Sequence, residues 1–447
     1  MPSSSNIRLF SDKQLLDQNF LRTDLGRLYQ AIPFESLAEK IPLPRHAQSG
    51  RGRKPWFNVQ GGLALMFLKH YLSMSDHMLI ERINTDWSMQ MFCGICLNHT
   101  ERIEDKNIVS FWRGYFASHI DINTLQEVFA KHWKPYMENT NIGSQDATCY
   151  ESGISYPTDI KLLWECCNQL FDLIQQERKH LGLRKSRCKF EKQRTKFLSY
   201  QKLRKKSKRK EKGIRKYLLK YVLKLMNLYR ELAEKYPIHL SKRKQKRMDI
   251  ISQVYTQQHQ RAYGTWEIQD RIVSLHKWYV RPIVRGKESK PVEFGAKVNK
   301  LEVDGISFIE HLSFDAFNES TRFANGIFLQ RKLFGRCTHQ SGDAIYANNA
   351  NRKYARSQNI QTNFVPKGKQ KIEYNEQAHQ IRALLNKHRS TVLEGSFGNE
   401  KNHYLLNKSR ARTKENEIVW IFFGMMTANA SIIANRIEER SLHRKAS

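Results

Sequence analysis

From Asn58 to Trp87 the apolar residues Val59, Leu63, Met66, Phe67 and Leu72, then Leu79, Ile80 and Ile83, recur at steps of three and four. That is the period of a helix that buries one face, and Ser75-Asp76 supplies a cap between two such helices. The same spacing predicts a third helix near Asn107 to Phe116, carrying Ile108, Phe111, Trp112 and Phe116, and a fourth from Asn123 to Trp133. Residues 58–140 therefore read as an all-helical domain, preceded by a segment, 1–57, that opens with a short helical stretch. The stretch "SQDATCYESGISYPTDI" (144–160) begins as a strand and turns through Tyr156-Pro157-Thr158-Asp159 into a new helix, where Leu162, Leu163, Cys166, Cys167, Leu170 and Ile174 keep helical spacing. Farther on, Leu218, Val222, Leu225, Tyr229 and Leu232 alternate four- and three-residue steps, the stripe of a helix packed on another helix, and Pro237 ends it. Residues 160 to about 280 read as a long helical hairpin inserted into a domain, the insertion itself covering about 164–280.

Alternation of period two returns after Lys290. "PVEFGAKVNKLEV" and Gly305 to Ile309 read as strands joined at Asp304-Gly305. A helix from about Asn348 to Arg356, a strand in "IQTNFVPK", helical periodicity from Glu376 and a deeply buried helix in "IVWIFFGMMTANASIIANRI" follow. Strands interleaved with helices make 141–430 an α/β domain and leave 431–447 as a basic tail.

Charge changes this picture more than size does. The chain has 447 residues, and 76 Lys and Arg against 43 Asp and Glu give a net charge of +33. Such an excess repels itself unless a polyanion neutralises it, which points to nucleic acid, with a basic membrane-surface protein as the other reading. Hydrophobic residues at 40% and aromatics at 11% are enough for the charge to ride on a folded body. It gathers in "RHAQSGRGRKPWF", where Arg45, Arg51, Arg53 and Lys54 alternate with Gly and Ser so that the backbone can follow a row of phosphates; a solvated linker is the competing reading. It gathers again in "RKSRCKFEKQRTKF" and "QKLRKKSKRKEKGIRK", which includes Arg204, Lys205 and Lys206. There the one-signed excess favours a DNA-contacting surface over a merely solvated face.

The polar start "MPSSSNIRLFSDKQ" and the absence of 18 consecutive apolar residues lead to the expectation of a cytoplasmic protein with no membrane association. Cys93 and Cys96 form one CxxC, but a zinc ribbon needs a second pair, so the seven cysteines read as reduced thiols.

Three acidic residues stand at structural junctions: Asp146 at a strand, Asp343 at a turn before a helix, and Glu394 after a helical segment rich in Arg and His. Ligands of open sheets bind outside strand ends, where such junctions converge. Carboxylates gathered there repel one another unless cations compensate them, and oxygen-only ligands suit Mg²⁺. Two such ions can serve an in-line displacement at phosphorus. Simpler readings exist: Asp343 as the N-cap of the helix near Ala347, Asp304 as a turn residue, and Asp315 as a rival for the second ligand.

Three stretches together resemble bacterial insertion-sequence DDE transposases with an RNase H-like core. "DATCYESGISYPTDIKLL" is similar to the family's first-aspartate segment, "GDAIYANNANRKYARSQNI" to its second, and "LEGSFGNEKNHYLLNKSRART" to its glutamate segment, while "LALMFLKHYLSMSDHMLIERINTDWSMQMFCGI" resembles its N-terminal helical domain. The likeness runs from about Asn58 to Asn429. It implies an RNase H-like mixed sheet flanked by helices, with an N-terminal all-α domain and a basic helical insertion. It implies that Asp146, Asp343 and Glu394 are the catalytic and metal-binding triad, loaded with Mg²⁺ or, as a substitute, Mn²⁺. Lys401, seven positions after Glu394, corresponds to a lysine that holds a DNA phosphate. Arg389 is similar to the arginine that precedes the family's glutamate, with a gap one residue longer than the pattern. The sequence also departs where Glu319-Ser320 stands near the place of a usual aspartate, and where "GAK" at 295–297 stands in a strand that commonly carries a histidine or lysine contact. The implied chemistry is hydrolysis of a phosphodiester at a terminal inverted repeat of double-stranded DNA, then attack of the freed 3′-hydroxyl on target DNA. Processing both ends of an element leads to the expectation of a homodimer on DNA. A nuclease that cuts without joining, and a non-catalytic DNA-binding protein, are the alternatives.

Overall fold

The computed structural model describes residues 12–44, 55–264, 267–284, 291–368 and 372–446. By packing, the chain divides into two compact units: one runs to Ser152 and resumes at Ala296–Ser313 and from Phe317 onward, and the other comprises Gly153–Gly295 with Phe314–Ala316. The expected insertion of about 164–280 falls inside the second.

In the first unit, helices Val59–Tyr71, Asp76–Ile83, Ile108–His119 and Ile122–Trp133 stand where the apolar spacing puts them. Ser75 caps the second of them by accepting from the Met78 N–H at 3.2 Å. Short helices Asp24–Gln30, Phe34–Ala38 and Trp87–Phe92 complete the layer. Asp24–Gln30, Val59–Tyr71 and Ile108–His119 pack on the terminal helix Lys414–Ala446, whose Phe422 and Phe423 meet Phe67, Phe116 and Phe129. Residues 431–446, read from sequence as a tail, continue this helix, and Arg436 ties it to Asp304 at 2.8 Å. Lys414–His443 is long and apolar enough to cross a membrane, but 83% of its most apolar window is buried inside the protein, the pattern of a core helix.

The strands are β1 (Ile142–Ser152), β2 (Pro282–Val284), β3 (Val292–Val303), β4 (Ile306–Ser313), β5 (His339–Gly342), β6 (Gln361–Thr362) and β7 (Lys408–Ser409). The first unit carries a mixed α/β sheet in the order β4-β3-β1-β5-β6, with β7 also paired to β1. β3 and β4 form the expected antiparallel hairpin, and Asp304 and Gly305 take positive φ (52° and 83°) at its turn, which is why Asp-Gly sits there. β1, β5 and β6 run parallel. The strand expected in "IQTNFVPK" is only the two-residue β6, because Asn363 spends its side chain on Gly342 and Asn386 and the chain then turns away at Pro366.

The second unit has four helices instead of one hairpin: Asp159–His180, Phe190–Lys202, Lys208–Lys235 and Lys242–Tyr263. The apolar stripe behaves as its spacing predicts, with Leu218, Val222 and Leu225 buried against Cys166, Cys167, Leu170 and Val254. One of the two added helices, Phe190–Lys202, arises because Gly182 and Lys189 adopt left-handed φ and break the chain, after which Phe197 stacks on Trp164 at 4.7 Å. Thr158 caps the first helix. The next residue, Asp159, is a hub: its buried carboxylate meets Arg271 at 2.8 Å, Arg261 at 3.0 Å, Arg215 at 3.2 Å and the Gln258 amide at 3.0 Å. Six of the seven cysteines are buried, and all seven are free thiols.

Candidate active site

The site grows out of one parallel pairing. β1 and β5 are in register from Ile142↔His339 to Gln145↔Gly342, so the next residues of the two strands, Asp146 and Asp343, leave the ladder side by side where β5 ends. Neighbouring strands lie about 4.8 Å apart, which sets the two aspartates next to each other. Asp343 does not cap the helix expected near Ala347: it caps the short 3-10 turn Ala344–Tyr346, accepting from the Ala344 N–H at 2.7 Å, and Asn348 caps the helix Asn349–Ser357.

Glu394 reaches the same place from far along the chain. Helix Ile372–His388 passes into a π-turn, Arg389–Leu393, in which the Glu394 N–H donates to the Arg389 carbonyl, before the helix Glu394–His403. In an α-helix, residues five apart face different sides; the wider π-turn brings them back to one side. As a result one guanidinium meets all three acids: Arg389 lies 3.3 Å from Asp146, 3.2 Å from Glu394 and 4.0 Å from Asp343.

The face of β1 that carries Asp146 continues, two residues at a time, through Thr148 and Tyr150, and both touch the helix of Glu394. Lys401 donates to Thr148 Oγ1 at 2.9 Å, and Tyr150 OH donates to Glu400. Glu400 is paired with Lys300 of β3 at 2.6 Å, and Lys300 donates also to Ser396 at 2.7 Å; neither ion has side-chain exposure above 1%. Below the π-turn, His388 approaches Ser144 at 3.3 Å and the buried Glu302 at 3.5 Å. These contacts fix the Glu394 helix on the strands. Sequence reading missed Lys300, Glu400 and Glu302, because charged residues are expected outside and only tertiary pairing brings them in.

Burial pushes the Asp146 carboxyl up to about 6, Glu319 and Asp343 push in the same direction, and Arg389 and the Ala147 N–H oppose them. Glu319, noted in the sequence only as a departure, is thus a fourth acid acting on the site, held by Lys297 at 3.4 Å. Asp315, the rival ligand, belongs to the other unit and faces Arg281 at 3.8 Å.

The donor set is hard oxygen with more negative charge than Arg389 alone balances, which is the chemistry Mg²⁺ takes. Among the described residues no group of three or more His, Cys, Asp or Glu is placed to hold a metal ion; the guanidinium of Arg389 contacts all three acids. Arg204, Lys205 and Lys206 are exposed in the second unit; Arg51, Arg53 and Lys54 lie outside the described residues.

No curated protein and no solved structure matches the chain. Residues 11–114 match a family model described as a transposase domain (DUF772). Over that stretch the chain is similar to transposases.

Proposed function

We propose that this protein is an insertion-sequence transposase that cleaves phosphodiester bonds at the terminal inverted repeats of its element and joins the freed 3′-hydroxyl to target DNA, with Asp146, Asp343 and Glu394 as the reacting site's carboxylates. The observation that carries the reading is the meeting of three acids, separated by almost two hundred and fifty residues of chain, on the single guanidinium of Arg389. The mixed sheet with β1 at its centre and helices around it supports the RNase H-like reading of the core. The raised titration of Asp146 supports it too, because perturbed carboxyls gather at reacting sites.

Asp146, Asp343 and Glu394 are the residues to hold Mg²⁺ or Mn²⁺, which when bound supplies charge neutralisation at the phosphate and an activated attacking oxygen. Arg389, released from the acids, offers a planar fork for a phosphate, and Lys401 offers a point charge on the same helix side as Glu394. The hydrogen bonds of Lys401 to Thr148 and of Tyr150 to Glu400 keep the β1 face and the Glu394 helix in fixed relation. Arg51, Arg53, Lys54 and the exposed Arg204, Lys205 and Lys206 hold DNA backbone, and two protomers pair on the two ends of an element.

The test is strand transfer by the full chain on labelled duplexes carrying the element's own ends, with Mg²⁺ or Mn²⁺. Joined product is expected, and Asp146→Asn, Asp343→Asn or Glu394→Gln should each lower it by roughly 100-fold or more. Cut DNA without joined DNA makes the protein a nuclease; retained DNA binding with no metal-dependent cleavage makes it a binding protein.

A further inference from the structure

Between Asp343 and Glu394 the chain carries nine lysines and arginines against two glutamates. Three of those arginines, Arg352, Arg356 and Arg382, converge on one open pocket of about 370 Å³ in the first unit. Arg352 and Arg356 come from one face of the helix Asn349–Ser357, four residues apart, and Arg382 from the helix Ile372–His388 opposite. The floor is apolar, with Ile360 and Phe364, and the β6 edge closes one side. Among the described residues no carboxylate lies within ion-pair distance of any of the three arginines. Three guanidiniums sharing a concavity repel one another, and an anion bound among them relieves that repulsion.

The pocket is coupled to the carboxylates through backbone and side chain. Asn363, beside its floor, both accepts from the Gly342 N–H and donates to the Gly342 carbonyl, immediately before Asp343. Its amide also donates to Asn386 at 2.7 Å, on the helix that leads to Arg389. Arg382 precedes Arg389 by seven residues, about 10 Å of helical rise.

We propose that this pocket is a phosphate-binding subsite that takes a backbone phosphodiester of the DNA strand flanking the bond at the carboxylates, with guanidinium forks on its oxygens and sugar carbons over Phe364 and Ile360. The proposal rests on the reading of the protein as one that acts on DNA. A planar fork suits phosphate oxygens, and a shallow apolar floor suits deoxyribose. Arg352 is additionally held by the Ala347 carbonyl at 3.0 Å, so the two variable positions for testing are Arg356 and Arg382.

The experiment measures binding of the full chain to a labelled duplex by fluorescence anisotropy across a salt series. Each lost phosphate contact lowers the slope of log K against log salt by about 0.9, so Arg356→Gln with Arg382→Gln should reduce it by about 1.8, and Arg356→Lys with Arg382→Lys should restore most of it. An unchanged slope in a folded double variant overturns the proposal. Inorganic phosphate that raises the melting temperature of the unmodified protein but not of the variant, with the slope unchanged, assigns the pocket to free phosphate and also overturns it. If the variant fails to fold, hydrogen exchange on the unmodified protein decides: DNA should protect amides of residues 355–362 and 377–382, and no protection sinks the idea. Failure of the cleavage reading looks different: the unmodified chain gives no metal-dependent cleavage of the duplex while the double variant still lowers the salt slope.

Discussion

Lys300 offers the sharpest test of how the site is held. Its ammonium is fully buried on β3 and bound to Glu400 at 2.6 Å and to Ser396 at 2.7 Å, with Tyr150 completing the carboxylate's shell. Burial holds the Lys300 amine below the usual lysine range, with Glu400 pulling the other way, so the pair's worth lies in its mutual compensation. Lys300→Met keeps the volume and strands the acid. A stranded acid in a dry site either stays ionised at a cost of about 3–5 kcal/mol or takes up a proton. Protonating an ordinary glutamic acid, pKa about 4.3, costs about 3.7 kcal/mol at pH 7 but only about 1 kcal/mol at pH 5. The expected loss is therefore about 3–4 kcal/mol at pH 7, shrinking by more than half at pH 5. Urea unfolding of both proteins at the two pH values measures it. Adding Glu400→Gln, which leaves an acceptor for Tyr150, should recover all but about 1 kcal/mol. A loss below about 1 kcal/mol at pH 7, or a loss that does not depend on pH, refutes the reasoning.

Other consequences can be measured in parallel. Burial lowers His70 to about 3 while its Nδ1–H donates to the Tyr404 carbonyl at 2.9 Å. A base depressed by folding stabilises above its unfolded pKa of about 6.5 and loses that stabilisation as pH falls towards 3, by about 1.4 kcal/mol per unit; His70→Gln should flatten this slope in urea titrations. Asp159→Ala leaves Arg215, Arg261 and Arg271 without their shared anion and should cost about 3–5 kcal/mol, seen as faster proteolysis within residues 153–295. Gly62→Ala drives a methyl to 2.3 Å from the Trp112 ring and should destabilise the transposase domain by about 1–3 kcal/mol in thermal melts, whereas Gly114, with open space around it, should tolerate alanine.

The helices were legible because each has an apolar face, and Ser75, Thr158 and the Asp304-Gly305 turn carry local signals that need no tertiary knowledge. Asp146 and Asp343 were legible as junction residues, and the register of β1 with β5 supplies the reason they are neighbours. The π-turn was not: "HRSTVLEG" reads as plain helix, and only the longer gap before Glu394 hinted at an added residue. The insertion was read as one hairpin because its break depends on left-handed backbone at Lys189, a residue type that gives no turn signal. Lys300 and Glu400 were invisible for a related reason: a single charged residue in a strand or helix looks solvent-facing until its partner, a hundred positions away, is in view.

The helix from Lys414 to Ala446 gives the gene product a particular order of assembly. Phe67, Phe116 and Phe129 are made well before Phe422 and Phe423, the rings that cover part of them. Nascent chains must therefore wait, apolar side chains uncovered, until that helix is made. A chain cut short before that helix should therefore be insoluble.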